Sequence, residues 1–150
     1  MHEKDIAILR NLAADGRMSL NDLSEAVGLS PTPTARRVKH LEATGVITGY
    51  SARLDETALG FPVSVFVSVR LDKQVDEALA VFEEAIKRFP EVVDCWLMTG
   101  NRDYLMRVAT RDLADFERFL TQRLTRIKGV ASIESSIPLR RVKATPARIP

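Results

Sequence analysis

The spacing of apolar residues divides the chain into two parts with different periodicity. In the first part, apolar side chains recur every three or four positions and predict three short helices, the first over about Lys4–Ala14. Ser19 is a candidate N-cap for the second helix, and Gly28 suits the left-handed position that ends it. Gly45 is predicted to end the third helix, and Val46–Leu54 is then predicted as a short strand.

The third helix is predicted to begin at Ser30, directly before two prolines. Pro31 and Pro33 fall in the first turn, where backbone N–H groups have no partner within the helix, so both are tolerated there. One face of this helix is apolar and the opposite face is polar and basic. The predicted buried residues are Ala35, Val38 and Leu41.

The second part of the chain alternates between strand and helix patterns. Segment 55–62 contains Gly60 and Pro62 and is predicted as a linker. Apolar and polar residues then alternate along Val63–Val69, which is the period of a strand. The later segments complete the order β-α-β-β-α-β, the ferredoxin-like split βαβ arrangement. They are a helix around 75–89, strands at 92–99 and 104–110, a helix around 113–124 and a last strand at 132–139.

The predicted fold class is therefore α+β, with residues 1–54 as one domain, 55–62 as the linker, 63–143 as a second domain and 144–150 as a tail. In the second domain, both helices are expected on one face of a four-stranded antiparallel sheet. Phe66 and Trp96 are candidates for an apolar surface on the other face. We therefore expect a dimer or larger oligomer through the sheet.

The positions of the charged residues are more informative about a binding partner than the net charge is. The 150 residues are 45% hydrophobic and 28% charged with a net charge of +2, as in ordinary globular proteins. Basic residues cluster at 36–40 and 140–143, which suggests a local surface that faces phosphates. No segment resembles a secretory signal or is long enough to cross a bilayer, so we expect a cytoplasmic protein with no membrane partner.

No group of residues in the sequence points to catalysis. Cys95 is the one cysteine, and its predicted strand position favours a small buried residue over a nucleophile. Two distant histidines and one cysteine do not form a metal-binding pattern. We expect no enzymatic activity, no metal and no cofactor.

Three short helices with a glycine-containing turn before the third are typical of a helix-turn-helix DNA-binding domain. Small polar residues at the start of the third helix are candidates for reading base edges, and its arginines can reach guanine edges or phosphates. A three-helix bundle with a solvated basic helix would give the same pattern, so both interpretations stay open here. The candidate DNA-binding residues are Ser30, Thr32, Thr34, Arg36, Arg37, Lys39 and His40.

Several segments, in order along nearly the whole chain, resemble the Lrp/AsnC family, the feast/famine regulators of bacteria and archaea. Gly100–Tyr104 resembles the Gly-x-x-Asp-Tyr turn of that family. The other similar segments are Asp5–Leu9 for the opening helix, Leu29–Pro33, Arg37–Glu42 and Gly45–Ile47 for the recognition helix and next strand, and Gly129-Val130 with Ser135-Ser136 for the end of the regulatory domain.

This resemblance implies a winged helix-turn-helix followed by a ferredoxin-like regulatory domain of the RAM or ACT type. Such proteins bind double-stranded promoter DNA, dimerise through the second domain and assemble further, often into octamers. They respond to a small molecule, commonly an amino acid, bound near the Gly-x-x-Asp-Tyr turn. The effector-binding residues implied here are Gly100, Asn101, Arg102, Asp103, Tyr104, Ser135 and Ser136.

Within this implied site, Asp103 is the candidate acceptor for the ammonium group of an amino acid. The turn amides and serine hydroxyls are candidates for its carboxylate, and Arg102 would either bind a carboxylate or fill the site. Turn chemistry alone would explain the same residues as a simple hairpin loop.

The leading hypothesis is a sequence-specific transcription regulator that responds to a small molecule. One alternative is an architectural protein that wraps DNA with little sequence preference, for which the ratio of specific to random DNA binding would be near one. A second alternative is an enzyme or its regulatory subunit, because ferredoxin-like domains also bind amino acids in metabolic enzymes. The absence of an acid/base or nucleophile set disfavours it.

Overall fold

A computed structural model describes residues 1–150 and divides them into two compact units. The first unit contains Met1–Arg53 together with Val142–Pro150, and the second contains Leu54–Arg141. This division differs from the predicted one at two places, because segment 55–62 belongs to the second unit and the chain end returns to the first. Within the first unit, Arg10 donates a hydrogen bond to the carbonyl oxygen of Pro150 at 2.5 Å.

Three helices form the first unit: α1 (Glu3–Ala14), α2 (Leu20–Val27) and α3 (Pro31–Ala43). Their buried apolar residues are Ile8, Leu23, Val27 and Leu41. Ile8 is the fully buried residue of α1, whereas Ile6, Leu9 and Leu12 on the same helix are only half-buried. The Nζ of Lys4 donates to the carbonyl oxygen of Val27 at 2.6 Å and so joins α1 to the end of α2.

The predicted ends of α2 are confirmed. The backbone N–H of Asp22 donates to Oγ of Ser19 at 3.1 Å, which satisfies one of the unpaired donors of the first turn. The carboxylate of Asp22 accepts from the same hydroxyl. Gly28 has a φ of 63°, the left-handed conformation that ends a helix at low cost only for glycine.

The predicted strand at Val46–Leu54 is wrong. This segment contains no strand, and the first unit has no other strand with which it could pair. A strand is stable only when a neighbour satisfies its backbone hydrogen bonds, so a strand-like local sequence is insufficient here. The N–H of Ile47 instead donates to the carbonyl oxygen of Leu41 at 3.0 Å and folds the segment against the end of α3.

The predicted βαββαβ order of the second unit is confirmed. The elements are β1 (Val63–Leu71), α4 (Asp76–Ile86), β2 (Val92–Leu97), β3 (Tyr104–Thr110), α5 (Leu113–Gln122), a short 3-10 helix (Leu124–Arg126) and β4 (Val130–Ser136). The four strands form one antiparallel sheet in the order β2-β3-β1-β4. The last strand begins and ends earlier than predicted, at 130 and 136.

The two faces of the sheet differ in burial. Val65, Val67 and Val69 are fully buried against aromatic residues of the helices, including Phe82 of α4 and Phe119 of α5. Alternate residues point the other way, because successive side chains of a strand face opposite sides. We call this second side the open face; its exposed aromatic residues are Phe66 and Trp96. None of the helices is long and apolar enough to cross a membrane.

Candidate functional site

The solvent side of α3 carries polar and basic side chains at helical spacing. Thr32, Arg36 and Lys39 are exposed and lie four and three positions apart, so they share one face of the helix. Neither Arg36 nor Lys39 forms an ion pair. His40 is also exposed, in the last turn of α3. These side chains are therefore free to bind an anionic partner.

The third helix begins directly after Ser30, which lies at its N-cap position, but the Ser30 hydroxyl makes no capping hydrogen bond. The carbonyl oxygen of Ser30 accepts from the N–H of Thr34 at 3.2 Å and begins the helix. Pro31 and Pro33 fall in the first turn without breaking it. The exposed Ser30 hydroxyl thus remains available at the end of the helix where the dipole favours an anion.

Thr34 does not face solvent, which corrects its assignment as a base-reading residue. Its side chain is fully buried, and its Oγ1 donates to the carbonyl oxygen of Ser30 at 3.0 Å. Val38 and Leu41 lie four and seven positions further along the same helix. Thr34 therefore belongs to the packed face of α3 and cannot contact DNA in this structure.

Arg37 is held by a residue of α1. Its Nη1 lies 2.8 Å from Oδ1 of Asp5, and the two side chains are 32% and 16% exposed. Burial opposes ionisation of Asp5, but hydrogen bonds from Arg37 and from the His2 backbone, with the positive charge of Arg37, outweigh it. The pKa of Asp5 therefore lies below its ordinary value. Arg37 thus stabilises the contact between α1 and α3, a role that its place in a basic run did not predict.

In the second unit, the first residues of the turn before β3 are exposed to solvent and the last residue is buried. Gly100 and Asn101 are exposed, and Gly100 has a φ of 98°. Asp103 is only 5% exposed. Its Oδ2 accepts the N–H of Leu71 at 2.6 Å, and its own N–H donates to Val69 at 2.9 Å. Asp103 thus anchors the turn to β1 through one carboxylate oxygen, and its burial argues against the predicted role as acceptor for a ligand ammonium.

Tyr104 is also part of the interior. Its ring stacks on Phe82 with 4.4 Å between centroids, and its hydroxyl donates to Oε1 of Glu83 at 2.8 Å. Burial, the hydrogen bond and the negative charge of Glu83 all raise the pKa of Tyr104. Tyr104 is 1% exposed and belongs to the hydrophobic core next to the turn, so it does not line a solvent-accessible site.

Arg102 extends across the end of the sheet to β4. Its Nη1 donates to Oγ of Ser132 at 2.9 Å, and its Nη2 donates to Oε2 of Glu134 at 2.6 Å. The side chains of Arg102 and Glu134 are 37% and 63% exposed. The sequence prediction missed both partners because it considered only the serines at 135 and 136 on this strand.

Ser135 and Ser136 do not face the same site. Ser135 pairs with Val67 and lies on the helix-covered side of the sheet, whereas Ser136 pairs with Phe66 and lies on the open face. Ser132 and Glu134 share the face of Ser136 but lie nearer the turn. The sequence could have shown this, because adjacent residues of a strand point to opposite faces of the sheet.

A second ion pair lies on the open face, outside every predicted site. Both terminal nitrogens of Arg107 contact the carboxylate of Glu56, at 2.7 and 2.8 Å. The hydrogen bond from Arg107 lowers the pKa of Glu56, an effect that its partial burial opposes. This bidentate pair attaches the segment predicted as a linker to the sheet.

A helix with an exposed basic face, followed by a ferredoxin-like unit with a charged, open turn, defines a two-domain regulator of the helix-turn-helix class. Comparison with known families agrees. Residues 1–48 match the profile of a winged helix-turn-helix DNA-binding domain. Residues 64–148 match that of the Lrp/AsnC ligand binding domain. The chain belongs to the Lrp/AsnC family and is a DNA-binding transcriptional regulator.

Individual relatives span nearly the whole chain. The Bkd operon transcriptional regulator of Pseudomonas aeruginosa is 54% identical over 92% of this chain and 90% of the relative. The leucine-responsive regulatory protein of Rhizobium meliloti is 37% identical over 93% and 89%. Among solved structures, a Neisseria meningitidis transcriptional regulator in complex with L-methionine superposes with a TM-score of 0.92 and 33% identity, covering 97% of this chain and 94% of that one. These relatives favour transcriptional regulation over a purely architectural role.

Proposed function

We propose that the solvent side of α3 reads operator DNA. The observation that carries this proposal is an exposed basic face with no internal ion pair. Thr32 and Ser30 lie nearest the start of the helix, where short polar side chains can approach base edges. Arg36 and Lys39 follow along the same side and supply charge for phosphates or guanine edges, and His40 adds an exposed ring that can hydrogen-bond.

The test is DNA binding by Arg36→Ala, measured on a fragment that the protein itself selects from random-sequence DNA. We expect affinity to fall by about tenfold or more and the slope of log affinity against log salt concentration to decrease by about one. Arg126→Ala is the matched control, because Arg126 is an exposed, unpaired arginine of the second unit. Equal affinities of wild type and Arg36→Ala at every salt concentration would refute this assignment of the DNA-binding face.

The selected fragment also separates specific from architectural binding. A sequence-specific regulator binds its selected site about a thousandfold or more tighter than random DNA. A ratio near one would instead support a DNA-wrapping role.

We further propose that the second unit binds an amino acid near the turn Gly100–Asp103. The match of this region to a ligand binding domain supports a small-molecule effector. Two relatives are associated by name with amino acids, one with leucine and one with L-methionine. The turn offers exposed backbone at Gly100 and Asn101 and a charged group at Arg102, which suit a small polar ligand.

The assembly that we propose is a homodimer through the open face of the sheet, with further association of dimers up to an octamer. Exposed Phe66 and Trp96 support the dimer, because large apolar side chains on an uncovered sheet favour association. Since its target is promoter DNA, we place the protein in the cytoplasm.

We also propose that the protein has no enzymatic activity of its own. Burial, with the negative charges of Glu83 and Asp94, raises the pKa of the Cys95 thiol to about 11. The thiol is therefore protonated and unreactive at neutral pH.

A further inference from the structure

We propose that residues 142–150, which we call the returning segment, form a second contact with DNA phosphates through Lys143 and Arg148. The match to the helix-turn-helix domain covers residues 1–48, and most of the returning segment falls instead within the match to the ligand binding domain. The structure nevertheless groups the returning segment with the three helices of the first unit. This inference goes beyond the proposed role of α3 and does not depend on which side chains of that helix read bases.

Two features hold the returning segment in the first unit. Nη2 of Arg10, on α1, donates to the carbonyl oxygen of Pro150 at 2.5 Å. Ile149 is half-buried, whereas every other residue from 134 to 150 is exposed. The segment is therefore attached near one apolar residue, and the side chains of Lys143 and Arg148 remain in solvent.

The positive charge of the chain is concentrated around this segment. Residues 135–150 contain four basic side chains and no acidic one. The chain has 22 basic and 20 acidic residues, so apart from these four, 18 basic side chains are left against 20 acidic ones. The excess that could neutralise phosphates is thus confined to one short stretch. Its four basic residues are Arg140, Arg141, Lys143 and Arg148.

The helical part of the first unit is almost neutral without the returning segment. Residues 1–53 contain seven basic and six acidic side chains. Two of the seven are already engaged, because Lys4 donates to the backbone at the end of α2 and Arg37 is paired with a carboxylate of α1. Lys143 and Arg148 add two positive charges to this unit, and neither forms an ion pair within the chain.

The form of the returning segment suits the phosphate backbone of DNA better than its base edges. The segment contains neither helix nor strand, and basic arms of this kind commonly contact nucleic acid. Long side chains with charged ends reach phosphates, which carry no sequence information. The returning segment should therefore add affinity and salt dependence to DNA binding without changing which sequence is preferred.

The test is DNA binding by the full-length double variant Lys143→Gln/Arg148→Gln, measured over a range of salt concentrations. Each protein is tested on the selected fragment and on random-sequence DNA. The control is Arg126→Gln/Lys128→Gln, which removes the same two charges from exposed, unpaired positions of the second unit. Ile149→Ser keeps every charge and removes the apolar anchor. Thermal unfolding followed by circular dichroism verifies that each variant is folded.

We expect Lys143→Gln/Arg148→Gln to lower DNA affinity by about tenfold or more at low salt and to reduce the salt slope by about two. The loss should agree within about twofold between selected and random DNA, because phosphate contacts are independent of sequence. The control should stay within about twofold of wild type. Ile149→Ser should lower affinity by about threefold with the slope retained, since the arm keeps its charges but must be ordered on binding.

Equal salt slopes of wild type and Lys143→Gln/Arg148→Gln would overturn the proposal, as would an equal loss in the control. A loss on the selected fragment alone would assign base reading to the segment and also contradict it. Binding to a second copy of the chain would appear in sedimentation equilibrium as a changed assembly with an unchanged salt slope. Arg36→Ala tests α3 separately, so failure of that assignment leaves this one in place.

Discussion

Arg36 and Arg37 are neighbours in the sequence but have different surroundings on α3. Arg36 is exposed and unpaired, whereas Arg37 turns towards α1 and contacts Asp5 at 2.8 Å. Successive residues of a helix are separated by about 100°, so one arginine can face solvent while the next lies at the edge of the packed side. Within a single basic run, Arg36 is therefore the candidate for DNA contact, whereas Arg37 joins two helices.

We predict that Arg37→Ala lowers the free energy of unfolding of the first unit by about 1 kcal/mol, because it removes a half-buried ion pair between two helices. Arg36→Ala should change it by less than about 0.5 kcal/mol, as expected for an exposed, unpaired residue. Urea denaturation followed by circular dichroism measures both. Equal effects of the two substitutions would contradict the structural role of Arg37.

The same pair gives a pH dependence of known sign. Because the pKa of Asp5 is lower in the folded state than its ordinary value of 3.8, the pair contributes its full stability above that value. The contribution is lost as the pH falls through the lower, folded-state pKa. Asp5→Asn should therefore reduce the difference in stability between pH 6 and acidic pH, whereas substitution of the exposed, unpaired Glu25 should not.

At the scale of elements, the turn between α2 and α3 sets the position of the proposed recognition helix. Gly28 adopts a φ of 63°, which is unfavourable for residues with a Cβ atom. A Cβ added there would lie 3.4 Å from Nζ of Lys4, whose hydrogen bond to Val27 joins α1 to this turn. The backbone conformation therefore favours glycine, whereas the flexible end of Lys4 lies at about ordinary van der Waals distance.

We predict that Gly28→Ala destabilises the first unit by about 1–2 kcal/mol, mainly through the strained left-handed conformation. Gly16→Ala is the control, because Gly16 has no positive φ and an added Cβ would make an ordinary contact of 3.6 Å with Tyr50. Thermal unfolding of the two variants distinguishes them. A loss of stability in Gly16→Ala as large as that in Gly28→Ala would show that any added methyl group, and not the backbone conformation, is responsible.

Most of the helices and strands could be predicted because an element that is buried on one side has apolar residues at a regular spacing in the sequence. The five helices and the βαββαβ order follow from apolar spacing, and the cap at Ser19 follows from the chemistry of helix ends. The segment Val46–Leu54 could not be predicted in the same way. Its local sequence is compatible with a strand, but a strand also needs a neighbour, which the local sequence does not reveal.

The candidate sites were less predictable for a related reason. Thr34 was grouped with solvent-facing residues by its polarity, although its spacing from Val38 and Leu41 places it on the packed face. Asp103 has the chemistry of a ligand acceptor, but its bond to Leu71 depends on a contact between residues 32 positions apart. The partners of Arg102 on β4 likewise depend on sheet order. Polarity identifies candidates, and tertiary contacts decide how they are used.

At the scale of the whole molecule, the open face is the surface that the single chain leaves incomplete. The helices cover one side of the sheet, while Phe66 and Trp96 on the other side remain 39% and 59% exposed. The bidentate contact of Arg107 with Glu56 lies on the same side and leaves these two aromatic residues uncovered. A second copy of the chain would bury them and shield this ion pair from solvent, which strengthens it.

We predict that Phe66→Glu and Trp96→Glu each weaken dimerisation by at least about 2 kcal/mol, because each replaces an exposed aromatic side chain of the open face with a charge that the second copy would have to desolvate. Sedimentation equilibrium of the full chain, without DNA or ligand, measures the change as a shift from dimer towards monomer. Val81→Glu is the control, since Val81 is a similarly exposed apolar residue (51%) on α4 in the opposite layer. If Val81→Glu dissociates the assembly and the two sheet variants do not, the helical layer forms the interface, and the open face must be covered in another way.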